Sequence, residues 1–262
     1  MNENLIYVLA KVDFGSITES RFKDRADAVQ EALRKDYPIV NKNNILTKIQ
    51  FDFNQSNEHK IQQSNERIIN LCSSNREWGV RITQNFLMLQ TKRYDGFEKF
   101  IKRMQAILAV VEKEFELYHS AFVGIRFVNK YEYNGDDDFK DVFRRRDFIQ
   151  PDLHFENSLK GGSNLQAHYL VGFNNLKINS GVMVDGLKVA ADFTDLPNDL
   201  GIQGDEISEG VWAHLDIDCF YNEPDVLNDF SVEDITEKYG ALRKLANNAY
   251  AQIIFSKYPE LS

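Results

Sequence analysis

The amino-acid sequence predicts an α+β fold of two sequential β-α-β-β-β-β-α units, with antiparallel sheets and helices packed on one face. Three observations predict it. Short segments alternate apolar and polar residues in the manner of half-buried strands. Long segments between them carry apolar stripes at three- and four-residue steps. The order strand, helix, four strands, helix runs over residues 1–119 and again over residues 120–262, with no residue-level identity between the halves. A sheet with one apolar face needs a helix layer on that face, and each half offers two helices.

In the first half, Leu5 to Phe14 sets Ile6, Val8, Ala10, Val12 and Phe14 against Tyr7, Leu9, Lys11 and Asp13, which is a strand. Gly15-Ser16 ends it. Thr18 to Asp36 follows as a helix with Phe22, Ala26, Val29 and Leu33 as its buried stripe, stopped at Tyr37-Pro38 because the residue before a proline leaves the helical region. Ile45 to Phe53 is a strand burying Ile49, Phe51 and Phe53. Asn54 to Glu66 is polar and reads as a loop. Arg67 to Cys72, Trp78 to Thr83 and Phe86 to Lys92 are strands divided by Ser73-Ser74-Asn75 and Gln84-Asn85. Asp95 to Tyr118 is the strongest helix, with Asp95 and Glu98 as a capping box and Phe97, Phe100, Ile101, Met104, Leu108, Val111 and Phe115 along one side.

The second half opens with the strand Phe122 to Tyr133. Val123, Ile125 and Phe127 form its apolar face, Gly124, Arg126 and Val128 point the other way, and Asn129 closes the alternating run. Asp138 to Phe148 reads as a short helix and Pro151 to Asn164 as irregular chain. Gln166 to Phe173, Leu176 to Val184 and Leu187 to Phe193 are strands joined by two-residue turns at Asn174-Asn175 and Asp185-Gly186. An acidic loop, Pro197 to Glu209, leads to the strand Val211 to Tyr221. Ser231 to Phe255 is a helix capped by Ser231 and Asp234. Two such units packed as one body could share a long curved sheet, similar in shape to the TATA-binding protein; the likeness carries no function.

Composition narrows the function classes. The chain has 262 residues, 43% of them hydrophobic and 27% charged, with 19 Phe and 11 Tyr to build ring-rich cores. A formal net charge of −9 argues against a general nucleic-acid binder, which needs many phosphate-neutralising cations. Arg144-Arg145-Arg146 is the one basic run, and Asp136-Asp137-Asp138 lies at helical distance to balance it. The 2 cysteines, Cys72 and Cys219, have no metal or disulfide spacing. The first residues lack a signal-peptide pattern and no apolar run reaches membrane-spanning length, so a cytoplasmic protein without a membrane partner is expected.

Tyr94-Asp95-Gly96-Phe97-Glu98-Lys99-Phe100, Val123-Gly124-Ile125-Arg126-Phe127-Val128-Asn129 and His214-Leu215-Asp216-Ile217-Asp218, together with Tyr37-Pro38, run in that order along the chain. In these landmarks the sequence resembles a sporadically distributed family of uncharacterised bacterial and archaeal proteins of about this length. The resemblance implies no activity and no catalytic residues. The family's patchy distribution suggests horizontally moved genes, and with them a role in conflict or defence.

The candidate ligand-binding residues are those facing away from the apolar sets. Trp212, His214, Asp216 and Asp218 share one face of one strand, and a His with two carboxylates could begin a divalent metal site. Same-face neighbours on a strand stand about 7 Å apart, too far for all three to hold one ion without curvature. Lys11 and Asp13, Gln50 and Asp52, Arg81 and Thr83, Arg126, and Lys188 and Asp192 also fall opposite their strands' apolar sets. His59 and His154 fall in loops, His119 follows a helix, and His168 lies on a strand and reads as structural. No serine-hydrolase elbow, zinc-protease motif, P-loop or dinucleotide fingerprint occurs, and no cofactor is implied.

The reading is a non-catalytic cytoplasmic binding or adaptor protein. Its polar sheet face engages a protein partner or a small charged ligand through Arg81, Arg126, Asn129, His214, Asp216 and Asp218. A homo-oligomer is compatible with it. One alternative is a metal-dependent enzyme acting on nucleotides or nucleic acid through His214, Asp216 and Asp218. Another is an antitoxin or immunity-type partner whose acidity complements a basic toxin.

Overall fold

The computed structural model describes residues 4–41, 45–53, 59–132, 139–149, 161–184, 200, 210–223, 226–255 and 261, with the backbone path alone over 45–53 and 59–66. In chain order the elements are β1 (Leu5–Phe14), α1 (Glu19–Leu33), β2 (Ile39–Val40), β3 (Ile45–Phe53), β4 (His59–Arg67), β5 (Ile69–Cys72), β6 (Trp78–Ile82), β7 (Phe86–Thr91), α2 (Phe97–Phe115) and β8 (His119–Glu132). A single 3₁₀ turn (Arg146–Phe148) follows, then β9 (Leu165–Val171), β10 (Asn174–Val184), β11 (Val211–Asn222), β12 (Asn228–Asp229) and α3 (Val232–Ile253).

The fold is α+β. One antiparallel sheet runs β2-β5-β6-β7-β1-β8-β11-β10-β9, with β12 paired to the start of β8, while β3 and β4 make a separate ribbon. β1 and β8 lie side by side at the centre, so both halves of the chain contribute to one sheet. On each side of that seam the next strand out is β7 or β11, whose chain leads into α2 or α3.

One face of the sheet carries the main core. Val8, Ala10 and Val12 of β1 join Leu87 and Leu89 of β7, Val123, Ile125 and Phe127 of β8, and Leu215, Ile217 and Cys219 of β11 beneath the helices. The helices present the stripes their spacing predicts: Phe22, Ala26, Val29 and Leu33 on α1, Phe100 through Phe115 on α2, and Ile235 through Ile253 on α3. Rings seal the layer. Phe22 stacks on Phe115 at 5.3 Å, and Phe100 packs 5.8 Å from Trp78 and 5.7 Å from Tyr94. Tyr239 reaches from α3 to donate to the Lys11 carbonyl at 2.9 Å.

The opposite face is not uniformly polar. Over β5, β6, β7 and β1 it carries a second core of Tyr7, Cys72, Met88, Val128 and Leu200, with Ile6, Leu9, Ile39 and Phe86 against it. A register shift between Leu5 and Tyr7 turns Ile6 onto this side and Leu5 onto the helix side, against the simple alternation of β1.

Several local expectations are corrected. Residues 59–66, expected in a loop, lie in β4, which pairs with β3 from His59–Phe53 to Arg67–Ile45; pairing with a partner strand overrides the polar composition. The Asp138–Phe148 segment is not a helix over its described residues 139–148. Phe139 sits at φ 59°, outside right-handed helix geometry, and Phe143 bridges to Ile254 and packs on Tyr131. The β9–β10 turn is Gly172-Phe173, with Gly172 at φ 63° as a two-residue hairpin demands, and Asn174-Asn175 begin β10. The capping box of α2 does not form: Gly96 is the N-cap and has no side chain to accept a bond. The short β2 and β12 leave no readable alternation. The strand expected at 187–193, the turn at 185–186 and most of the acidic loop at 197–209 lie outside the described residues.

At the other end, Ser231 caps α3, its hydroxyl accepting from the Asp234 amide at 3.2 Å. Ser231→Ala is expected to lower the unfolding free energy by about 1 kcal/mol, and Phe100→Ala, fully buried in the main core, by about 3–5 kcal/mol. Urea denaturation of the two variants checks the contrast between a cap and a core ring.

Candidate functional site

The polar part of the second face lies over β8, β11, β10 and β9; Val128, Trp212 and Asp216 are buried there, and Gln166, His168 and Lys177 are exposed. Antiparallel register sets Arg126 opposite Asp218, Asp218 opposite Lys177, and Lys177 opposite His168. A row of alternating charge therefore crosses three adjacent strands and ends at His168 on the fourth, each step about 4.8 Å. The next row is Asp216, Asn179 and Gln166. Together these residues line a shallow cavity of about 360 Å³, with Ala167 and Ile178 at its base.

Arg126 anchors it. Its Nε donates to Asp216 Oδ1 at 2.8 Å and its Nη2 to Oδ2 at 2.5 Å, a bidentate fork across two strands. The side chains are 15% and 3% exposed, so a nearly buried carboxylate is held by a guanidinium at the mouth. A Cβ at Gly124 would meet the Phe122 ring at 2.7 Å, so the glycine lets that ring lie against the strand beside Arg126. Lys177 extends from β10 over the Phe220 ring at 5.0 Å, and His168 Nε2 meets Asn175 Oδ1 at 2.9 Å.

The expected site residues separate. Arg126, Asp216 and Asp218 come together in the cavity. His214 lies on the same face of β11, one step beyond Asp216, but outside the cavity lining; its Nε2 is 3.4 Å from Asn179 Oδ1 and its ring packs edge-on to Trp212. Burial pushes its pKa down to about 4, so the ring is neutral near pH 7. Asn129 pairs with Leu215 on the helix side, fully buried, and donates to the Leu215 carbonyl at 3.2 Å. Alternation puts it on the opposite face from Arg126. Arg81 shares the face but is buried in the covered half, opposite Met88, with three strands separating β6 from β11 and β1 and β7 between it and Arg126.

Lys177, His168, Asn179 and Gln166 join the site without having been singled out for it. Their signal is present in β9 and β10, where polar residues alternate with Ala167, Leu176 and Ile178, but only the register shows that they meet β11 at Asp216 and Asp218. Thr83 and Lys11, also expected on a polar face, serve local structure: Thr83 Oγ1 accepts from Asn85 and Phe86 amides in a turn, and Lys11 pairs with Asp13 at 2.8 Å. His59 is described by backbone alone, and Gln50, Asp52, His154, Lys188 and Asp192 have no described side chains. Among the described residues no three His, Cys, Asp or Glu side chains converge as metal ligands, and Asp216 is committed to Arg126.

No family model matches the chain, and no curated protein matches it.

Two outcomes follow from the fork and from His214. Asp216→Asn or Arg126→Met alone is expected to cost about 3–5 kcal/mol, because each strands the other partner, whereas the double change recovers much of it; a double-mutant cycle by denaturation checks this. For His214 the unfolded ring takes up a proton near 6.5 and the folded ring only near 4. Between those values the unfolded chain binds more protons, so the stability is complete above pH 6.5 and is lost as pH falls toward 4. His214→Gln is expected to flatten that part of the stability–pH curve, measured as the difference from the unaltered protein.

Proposed function

We propose that this protein is a non-catalytic binding or adaptor protein that uses the open half of its polar sheet face to engage a protein partner or a small charged ligand. The observation that carries the reading is the cavity over β8, β11, β10 and β9, where Arg126, Asp216, Asp218, Lys177 and His168 offer both charges on a rigid sheet. Its groups are held rather than poised for proton transfer. Asp216 is locked in the fork and His168 is bonded to a carboxamide. What remains accessible is the outer rim, where the Lys177 side chain is exposed. Lys177 and the carboxylate of Asp218 beside it suit a ligand or partner group that carries charge.

A cytoplasmic setting is supported by the sparse cysteines, Cys72 and Cys219, both buried and without disulfide spacing in the sequence. No helix among the described residues is long and apolar enough to cross a membrane.

A thermal-shift screen of amino acids, dicarboxylates, nucleotides and divalent metals tests the reading. A bound ligand at about 100 times its Kd stabilises the folded state by about 2.7 kcal/mol. A ligand that raises Tm for the unaltered protein is expected to do so far less for Lys177→Glu, whose own Tm stays the same. Shifts that survive Lys177→Glu and His168→Ala alike would reject this cavity. A shift given by a divalent metal and lost in Asp218→Asn would move the reading to a metal-dependent enzyme.

A further inference from the structure

The helix layer is unequal on the two sides of the seam. On the β5 side, α1 packs against both α2 and β5. On the β9 side the described part of the segment expected to form a helix is a turn, and α3 is the helix among the described residues that packs on β10 and β11. What remains beside α3 is a groove of about 400 Å³ on the helix face, separate from the polar cavity behind the sheet. Its floor is apolar: Phe148, Leu176, Ile178, Leu245 and Ile253, with Tyr169 and Val171 of β9 along its outer wall.

That wall is exposed. Tyr169 is 47% exposed and Val171 49%, and Phe173 in the adjoining turn reaches 61%. β9 ends the sheet and contains no Lys, Arg or Pro, the residues that ordinarily guard an edge strand. An exposed apolar patch of this kind marks an interaction surface.

The charge at the groove identifies the occupant. The chain has a formal net charge of −9, yet among the described residues none that lines the groove is a carboxylate. Its rim carries Arg145, which pairs with Asp147 at 2.7 Å and is flanked by the exposed Arg144 and Arg146. The amides of Arg144 and Arg145 donate to the Ile253 carbonyl, fixing the run at the end of α3. On α3 the rim continues through the neutral Asn248 and Gln252, bonded to each other at 3.0 Å, with Lys244 one turn before them. A second copy of the chain fits poorly, because two-fold pairing along β9 would set the arginine runs of the two copies side by side. We infer that this groove docks an acidic amphipathic helix of a partner protein, its apolar side chains on the floor between α3 and β9 and its carboxylates on the Arg144–Arg146 rim.

The test uses two synthetic peptides of about 18 residues, about five α-helical turns. Both carry the same Leu and Phe stripe at helical spacing, with Glu on the polar face of one and Lys on the other. Fluorescence anisotropy against the full chain is expected to show the Glu peptide binding at least about tenfold more tightly than the Lys peptide, weakening as salt rises from about 0.05 to about 0.5 M. The surface variants Arg144→Glu/Arg145→Glu and Tyr169→Asp/Val171→Asp are each expected to lose about tenfold or more of that affinity, with Tm and far-UV circular dichroism unchanged. Lys177→Glu, on the other face, should leave it intact, so failure here is distinct from failure of the polar cavity. No binding of the Glu peptide up to about 1 mM, equal binding of the Lys peptide, or affinity indifferent to both surface variants would overturn the inference. So would concentration-dependent dimerisation abolished by Tyr169→Asp/Val171→Asp, which would make a second copy the occupant.

Discussion

Pairing of β1 with β8 governs the rest of the molecule. Their register runs from Leu5–Asn129 to Phe14–Ser120 and joins the two halves of the chain in a single sheet. Because side chains alternate, that register also decides which face each residue occupies. Ala10 opposite Ile125 and Val12 opposite Val123 put the apolar sets of both strands under the helices. A slip by one residue would turn Arg126 into the helix layer and carry Phe127 out onto the polar face. The seam thus sets the orientation of Arg126, and with it the place where Asp216 and Asp218 of the next strand can meet a cation.

The Arg126–Asp216 fork follows from that placement. A carboxylate exposed by only 3% would be costly alone, and the guanidinium offsets its desolvation with two aligned donors. Such a pair adds little net stability compared with an apolar pair of similar volume, but it penalises arrangements in which either partner is unpaired. Its position beside β10 and β9 leaves Asp218, Lys177 and His168 in an unbroken row on a surface whose depth and shape are fixed by backbone pairing. A site built on a sheet in this way holds its groups in fixed relative positions.

What the sequence made legible was whatever depends on period. β1, β3, α1, α2, β8, β11 and α3 lie close to where their patterns place them, and the buried stripes of the helices are the predicted ones. Tertiary pairing was not legible. β4 is polar and becomes a strand only because β3 lies beside it, and Phe139, Val142 and Phe143 have helical spacing but fill the core from a turn. The candidate site divides along the same line. Arg126, Asp216 and Asp218 could be selected from alternation alone, whereas excluding Asn129 required its partner Leu215, and removing Arg81 required knowing that Leu200 and its neighbours bury that half of the face.

The two faces of the sheet answer the same constraint differently. Toward the helices every strand needs an apolar cover, and α1, α2 and α3 supply it except along β9. Toward the other side a second core around Leu200 covers the first half, and a shallow polar cavity lies over the second. Both openings therefore fall at the β9 end, one polar and one apolar, back to back across the same two strands. Ile178 of β10 lines each of them. A partner seated in the apolar groove would restrain β9 and, through the β9–β10 ladder, the positions of His168 and Lys177 behind it. Occupancy on one face can alter affinity on the other if it changes the order of that hairpin, whose β9 is paired with β10 and exposed over most of its length.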